Sequence, residues 1–244
     1  VSLAGAPPPG HPVPALMREM AAGEVTLVWQ NEVGGLTGRV GGTRPRYLKW
    51  NPAGSGESLS AEAERLRWLA DRHPVPAVLD LVVRGHEELL VTAALPARSA
   101  VDPKWTRRPE DAVRAVAEGL RALHSLPVAT CPFDWGVEAR ITEAVSAGRE
   151  VPASLLTAPN VDLLVVCHGD ACAPNTLLGD DARFAATVDV GRLGVADRWA
   201  DLAVATMSLA WNFEDPDEGL FWETYGLEPD IERIDYYRAL WNAT

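Results

Sequence analysis

Three side chains define the chemistry open to this sequence. In His168-Gly-Asp-Ala-Cys-Ala-Pro-Asn175 an aspartate, Asp170, precedes an asparagine by five residues, and Thr187-Val-Asp-Val-Gly-Arg192 sets a second carboxylate, Asp189, at the end of an apolar run. A carboxylate can orient an attacking hydroxyl and accept its proton, while an amide oxygen and a second carboxylate are hard ligands suited to Mg2+. These are the parts that phosphoryl transfer to an alcohol needs. Gly169 and Pro174 help to fix the loop between them. A lone Asp-x-x-x-x-Asn would be read as a polar turn capping its own backbone. The full combination outweighs that reading.

A triphosphate also needs a cation. Lys49 lies in the strand pattern Arg46-Tyr-Leu-Lys-Trp50, from which its ammonium can reach phosphates. Two glutamates in the following helix could hold it. Glu62 stands three residues after Leu59 and four before Leu66, on the apolar inward stripe, whereas Glu64 points elsewhere. An acid on a buried face needs a partner, and Lys49 is the obvious one. Asn31-Glu-Val-Gly-Gly-Leu-Thr-Gly38 lacks the order of a nucleotide-binding glycine loop and reads as a glycine-rich hairpin. Cys167, His168 and Cys172 lack a fourth ligand at zinc spacing, so the cysteines read as buried thiols beside the loop.

The elements that must position these groups fall into two textures. Strands are expected at Thr26–Gln30, Arg46–Trp50, Val78–Val83 and Leu89–Ala93, with one helix over Ser58–Arg72. Beyond Pro96 the pattern is mainly helical, with a helix opening at Pro109 and others near Arg198–Asn212, Asp217–Tyr225 and Pro229–Trp241. An α+β chain of two lobes follows, joined near Ala93–Arg98. Residues 1–15, holding five prolines, are expected to be a loose leader, 16–95 a nucleotide-binding lobe and 96–244 a catalytic and acceptor-binding lobe. No apolar run approaches the roughly 20 residues of a membrane span. The net charge of -12 excludes a basic nucleic-acid surface, and suits either solubility or a cationic ligand. Three irregularly spaced cysteines point to a reducing cytoplasm. Oligomeric state is not legible.

The Asp170–Asn175 spacing with Asp189-Val-Gly191 matches the kinase pattern of catalytic Asp, metal-binding Asn and a following Asp-x-Gly. The longer strings Val165-Val-Cys-His-Gly-Asp-Ala-Cys-Ala-Pro-Asn-Thr-Leu-Leu178 and Asp189-Val-Gly-Arg-Leu-Gly-Val-Ala-Asp-Arg-Trp-Ala-Asp-Leu-Ala203 resemble the aminoglycoside 3'-phosphotransferase family. That resemblance implies a protein-kinase-like bilobal fold, an antiparallel N-lobe sheet with one helix, a mainly helical C-lobe, and ATP with Mg2+ as cofactors. It implies Asp170 as catalytic base, Asn175 and Asp189 as metal ligands, His168 as loop support and Asp201 as a buried carboxylate bracing the loop. Lys49 and Glu62 would steady the phosphates, the backbone of Thr92, Ala93 and Ala94 would meet the adenine edge, and Arg192 would shape the acceptor side.

The departures lie at the acceptor. Trp241 and Asn242 stand where the family carries an acidic pair, and Trp211 where it often carries a glutamate, with Glu214, Asp215, Asp217 and Glu218 as nearby substitutes. The segment Ile141–Val161 is shorter than the family's acceptor cover. Trp199, Trp211, Trp222 and Trp241 can form an aromatic wall against a cation, although core packing is their default reading. The expected activity is ATP-dependent phosphorylation of a small-molecule hydroxyl, with the 3'-OH of an aminoglycoside as first choice. A kinase for another alcohol, and a non-catalytic nucleotide-binding module, are the alternatives.

Overall fold

The computed structural model describes residues 5–244, and the chain divides into two compact units. One runs to Asp71 and resumes over Val75–Leu95; the other comprises Arg72–Pro74 and Pro96–Thr244.

The first unit holds helix α1 (Ala15–Ala21), strands β1 (Val25–Gln30), β2 (Leu36–Val40) and β3 (Arg46–Asn51), helix α2 (Leu59–Leu69), and strands β4 (Val78–Arg84) and β5 (Glu87–Ala93). The strands form one antiparallel sheet in the order β1-β2-β3-β5-β4. Side chains alternate between faces along a strand. Leu48 of β3 accordingly joins Leu16, Met17, Leu36, Leu89 and Val91 in a buried cluster, and its neighbour Lys49 is delivered to α2. Ser58 caps α2 by accepting a hydrogen bond from the Ala61 amide.

Two elements of this unit escape the sequence pattern. Strand β2 carries Gly38 at its centre, and glycine is depleted in strands. Here the missing side chain is required: a Cβ at Gly38 would lie 2.5 Å from Val25 Cγ1 and 3.1 Å from Met17 Sδ, so the glycine is what lets α1 seat against the sheet. Helix α1 follows a proline-rich stretch and begins at Ala15. Within the expected leader, Gly5 exchanges backbone hydrogen bonds with Gln30 at 2.9 and 2.7 Å, while residues 1–4 lie outside the described residues.

The second unit contains strand β6 (Arg98–Ser99), helices α3 (Pro103–Thr106), α4 (Pro109–His124) and α5 (Val137–Ser146), strands β7 (Leu164–Cys167), β8 (Thr176–Leu178), β9 (Phe184–Thr187) and β10 (Gly194–Asp197), and helices α6 (Trp199–Asn212), α7 (Glu218–Tyr225) and α8 (Ile231–Ala243). Short sheets β6-β8-β9 and β10-β7 frame the loop between β7 and β8. Proline in the first turn of α4, with Glu110 and Asp111 beside it, suits the positive end of the helix dipole. Helix α6 is buried on nearly every side, and its buried polar residues Asp201, Thr206 and Ser208 therefore need internal partners. Among the described residues no helix is long and apolar enough to cross a membrane.

Candidate active site

The turn from β7 into the loop is held by one carboxylate. Asp201, fully buried in the first turn of α6, accepts the His168 amide on Oδ2 at 2.5 Å and the Gly169 amide on Oδ1 at 3.0 Å. The His124 side chain adds a third bond to Oδ2 at 3.0 Å. Burial opposes ionisation of Asp201, but the His124 hydrogen bond, the nearby imidazoles and the His168 amide together hold its carboxyl below the ordinary range. Gly169 has φ +85°, and a Cβ there would lie 2.2 Å from the Arg192 carbonyl oxygen, so only glycine fits.

Past Gly169 the loop is tied to itself and to β9. Asn175 Nδ2 donates to the Asp170 carbonyl at 3.0 Å and to Asp170 Oδ2 at 3.1 Å. The other oxygen, Asp170 Oδ1, is buried with no hydrogen-bond partner. Leaving a buried acceptor unmatched costs about 1–3 kcal/mol. Ser208 of α6 accepts the Ala173 amide at 2.9 Å, fixing the loop from below. Burial first, then the charge of Asp170, pushes the Cys172 thiol well above its ordinary range, so it stays protonated beside the carboxylate.

Asp189 is brought to this loop through its neighbour. Val188 donates its amide to the Asn175 carbonyl at 3.0 Å, and its own carbonyl accepts from His168 Nε2 at 3.0 Å. A carbonyl can only accept, so Nε2 carries the proton and Nδ1 accepts the Asp170 amide at 3.2 Å. His168 thus ties the Asp170 backbone to the residue before Asp189. Asp189 itself is exposed and has φ +63°, a left-handed conformation that costs a non-glycine residue roughly 1–2 kcal/mol. Its charge is felt at Cys172. Asn175 spends its NH2 group on Asp170, leaving the amide oxygen as the ligand atom. With the Asp189 carboxylate, that donor set fits Mg2+.

Three supporting residues were invisible to the sequence reading. His124 follows Leu120 by four residues on the buried stripe of α4, a polar residue on an apolar face, and that signal could have found it. Its other ring nitrogen, Nδ1, lies 2.8 Å from the hydroxyl of Tyr225 at the end of α7. The third, His73, contacts Thr187 Oγ1 through Nε2 at 2.9 Å, and Pro74 accepts the Thr187 amide at 3.0 Å. Burial, with smaller contributions from the other imidazoles, lowers the His73 pKa to about 4 and keeps the ring neutral. Among the described residues the three-donor grouping of His, Cys and acids is His124, Cys167 and Asp201, so Cys167, His168 and Cys172 do not converge.

In the first unit Lys49 Nζ lies 2.9 Å from both carboxylate oxygens of Glu62. The lysine side chain is 25% exposed and the glutamate 7%, so the acid is the buried anchor and the ammonium the reachable end. Asn31 and Gly35 close the β1–β2 turn by mutual bonds, a local hairpin. The backbone expected at the adenine edge is paired within the unit. Ala93 donates its amide to Ala77 at 2.9 Å and Ala94 donates to Pro45 at 3.0 Å, while Thr92 is paired with Tyr47 and Val78 inside the sheet.

The residues expected at the acceptor are less committed. Arg192 lies over the Trp135 ring, its guanidinium carbon 5.7 Å from the centroid, and Arg140 shares that ring at 5.0 Å. Trp211 is 56% exposed, which overturns the expectation of core packing for it, whereas Trp199 and Trp222 are buried. Its ring meets Trp241 of α8 at 5.7 Å. Glu214 is exposed just beyond α6, and Asp217 caps α7 by accepting the Leu220 amide on Oδ1 at 2.9 Å.

Residues 36–237 match the model of the phosphotransferase enzyme family, and the chain belongs to that family; its fold is protein-kinase-like. It is 39% identical over 219 residues to an aminoglycoside 3'-phosphotransferase of Streptomyces fradiae, covering 78% of this chain and 81% of that relative. A crystal structure of a type VIII aminoglycoside 3'-phosphotransferase superimposes with a TM-score of 0.77 at 31% identity, over 93% of this chain and 95% of the other. A 3''-type aminoglycoside phosphotransferase of Streptomyces rimosus, solved with ADP and streptomycin, gives a TM-score of 0.71 at 26% identity, over 92% and 94%.

Proposed function

We propose that the protein transfers the γ-phosphoryl group of ATP to a hydroxyl of an aminoglycoside, the 3'-hydroxyl being the first choice. The observation that carries this reading is the buried Asp170 oxygen Oδ1, which has no hydrogen-bond partner while Oδ2 accepts from Asn175. An acceptor hydroxyl brings the missing proton donor. Asp170 orients that hydroxyl and takes its proton as the hydroxyl oxygen bonds to the γ-phosphorus and the bridging bond to ADP breaks. Asn175 and Asp189 would hold Mg2+, whose chemistry when bound is to neutralise the phosphate charge. Lys49, steadied by Glu62, binds the phosphates, and His168 and Asp201 keep Asp170 in place. Arg192, Trp211 and Glu214 border the acceptor. A cytoplasmic location fits its nucleotide supply and the three free cysteines.

The similarity to 3'-phosphotransferases supports the 3' position, and the ADP complex of the Streptomyces rimosus enzyme supports ATP as donor. A panel of kanamycin, neomycin, streptomycin and non-aminoglycoside alcohols, read by ADP release, tests the reading. Turnover with kanamycin or neomycin is expected, and its abolition by Asp170→Ala. The exposed Trp211 with Trp241, and Asn242 next to Trp241 in sequence, favour a second reading, a kinase for a less cationic alcohol. Turnover confined to the non-aminoglycoside arm would establish it. Slow ADP release with every acceptor would instead mark a nucleotide-binding module.

A further inference from the structure

Behind Asp201 the structure contains a second tier of contacts. His124 ends α4, Tyr225 ends α7, Asp201 opens α6, and His168 and Gly169 leave β7, so four elements meet within one chain of hydrogen bonds. The tier is buried, with the His124 side chain 4% exposed and Asp201 fully enclosed. Asp201 Oδ2 accepts both the His168 amide and His124 Nε2, so the imidazole restrains the same oxygen that holds the loop. Tyr225 then restrains the imidazole through Nδ1, and its ring meets the His124 ring edge-on at 5.7 Å. Burial first among its causes raises the Tyr225 hydroxyl to about 12, so it remains a donor.

The same three donors, His124, Cys167 and Asp201, lie within 4.8 Å of one another, the spacing of a metal cluster. Their chemistry is otherwise. Both Asp201 oxygens already accept backbone N–H groups, and burial drives the Cys167 thiol well above its ordinary range, whereas a metal needs the thiolate.

We infer that His124, backed by Tyr225, is a positioning residue for phosphoryl transfer: it fixes the Asp201 carboxylate, and through the His168 and Gly169 amides it fixes where Asp170 stands. The inference rests on the role proposed for Asp170. A displacement of about 1 Å at a reacting group can cost roughly 100-fold in rate. His124→Leu removes the donor to Asp201, His124→Gln keeps a donor N–H at nearly the same reach, and Tyr225→Phe removes only the rear restraint.

The test compares these variants with Asp170→Asn, measuring kcat and nucleotide KM per folded molecule and amide hydrogen exchange at His168 and Gly169. For His124→Leu the expected result is a kcat lower by roughly 100-fold with nucleotide KM unchanged, and faster exchange at both amides. His124→Gln recovers most of the loss, and Tyr225→Phe shows a smaller one. Since His124→Leu can fail to fold, Tyr225→Phe and His124→Gln carry the test alone if it does. Wild-type kcat in a folded His124→Leu would overturn the inference; should that variant not fold, wild-type kcat with unchanged amide protection in Tyr225→Phe, or a folded His124→Gln that loses roughly 100-fold in kcat, would overturn it. If Asp170→Asn turns over normally, the role of Asp170 falls, while the exchange data still report whether His124 secures the loop.

Discussion

Within the second unit, the loop His168–Asn175 and the surface around Trp211 and Glu214 are built differently. The loop is irregular backbone, yet Asp201, Ser208, Asn175 and Val188 engage its amides and carbonyls one by one. The surface expected at the acceptor lies on and just after a regular helix, but Trp211 and Glu214 reach into solvent, and the Trp211 ring meets that of Trp241. Regular secondary structure is therefore not what makes a site rigid here. Under the proposed roles, the groups nearest the reacting atoms are held by buried polar bonds, and those expected to border the acceptor are left adjustable.

Substitutions should separate these two kinds of construction. The largest effect is expected at Asp170. Asp170→Asn should lower kcat by roughly 1,000-fold, within the range for loss of a general base, while isothermal titration still detects nucleotide binding. Retained turnover would mean that the tightly held loop is scaffolding and not the reaction centre.

The next effect concerns the bracing of β9. His73 stays neutral in the fold down to about pH 4, whereas the unfolded chain binds its proton below the usual 6.5. The unfolded state therefore takes up the extra proton as pH falls from 6.5 toward 4, and stability is lost across that window. Urea denaturation should give about 2 kcal/mol less stability at pH 5.0 than at pH 7.5 from this residue. His73→Gln should remove that share of the pH dependence, so an unchanged slope would discount the brace.

In the first unit, Lys49→Ala should raise the nucleotide KM by roughly 10-fold with a smaller change in kcat, measured at saturating acceptor. The smallest effect belongs to the adjustable surface. Trp211→Ala should shift the acceptor KM by about 3-fold and leave the urea midpoint unchanged, because the ring is largely exposed. If Trp211→Ala instead destabilised the protein or abolished kcat, the contrast between held and adjustable regions would fail.

Much of the site was legible because its residues obey local rules. Asp170 and Asn175 occupy one short loop at a fixed spacing, and the helical period alone separates Glu62 from Glu64. The helices α4, α6, α7 and α8 were legible from apolar spacing, their ends shifting by a residue or two in the structure, whereas α5 was not expected. What stayed hidden depends on partners distant in sequence. Nothing near His124 announces Asp201 or Tyr225, and nothing near His73 announces Thr187. Gly38 reads as a strand breaker until Met17 and Val25 are seen to need its space. The use of the Ala93 and Ala94 amides likewise rests on Ala77 and Pro45, which pattern alone does not pair with them.

The three residues Arg72–Pro74 belong to the second unit although both flanking stretches belong to the first. The polypeptide therefore passes between units three times, and no single cut in the gene separates them. A fragment beginning at Pro96 would be synthesised without the segment that satisfies Thr187, so reassembly from two expressed halves should require the first half to carry His73 and Pro74 in trans.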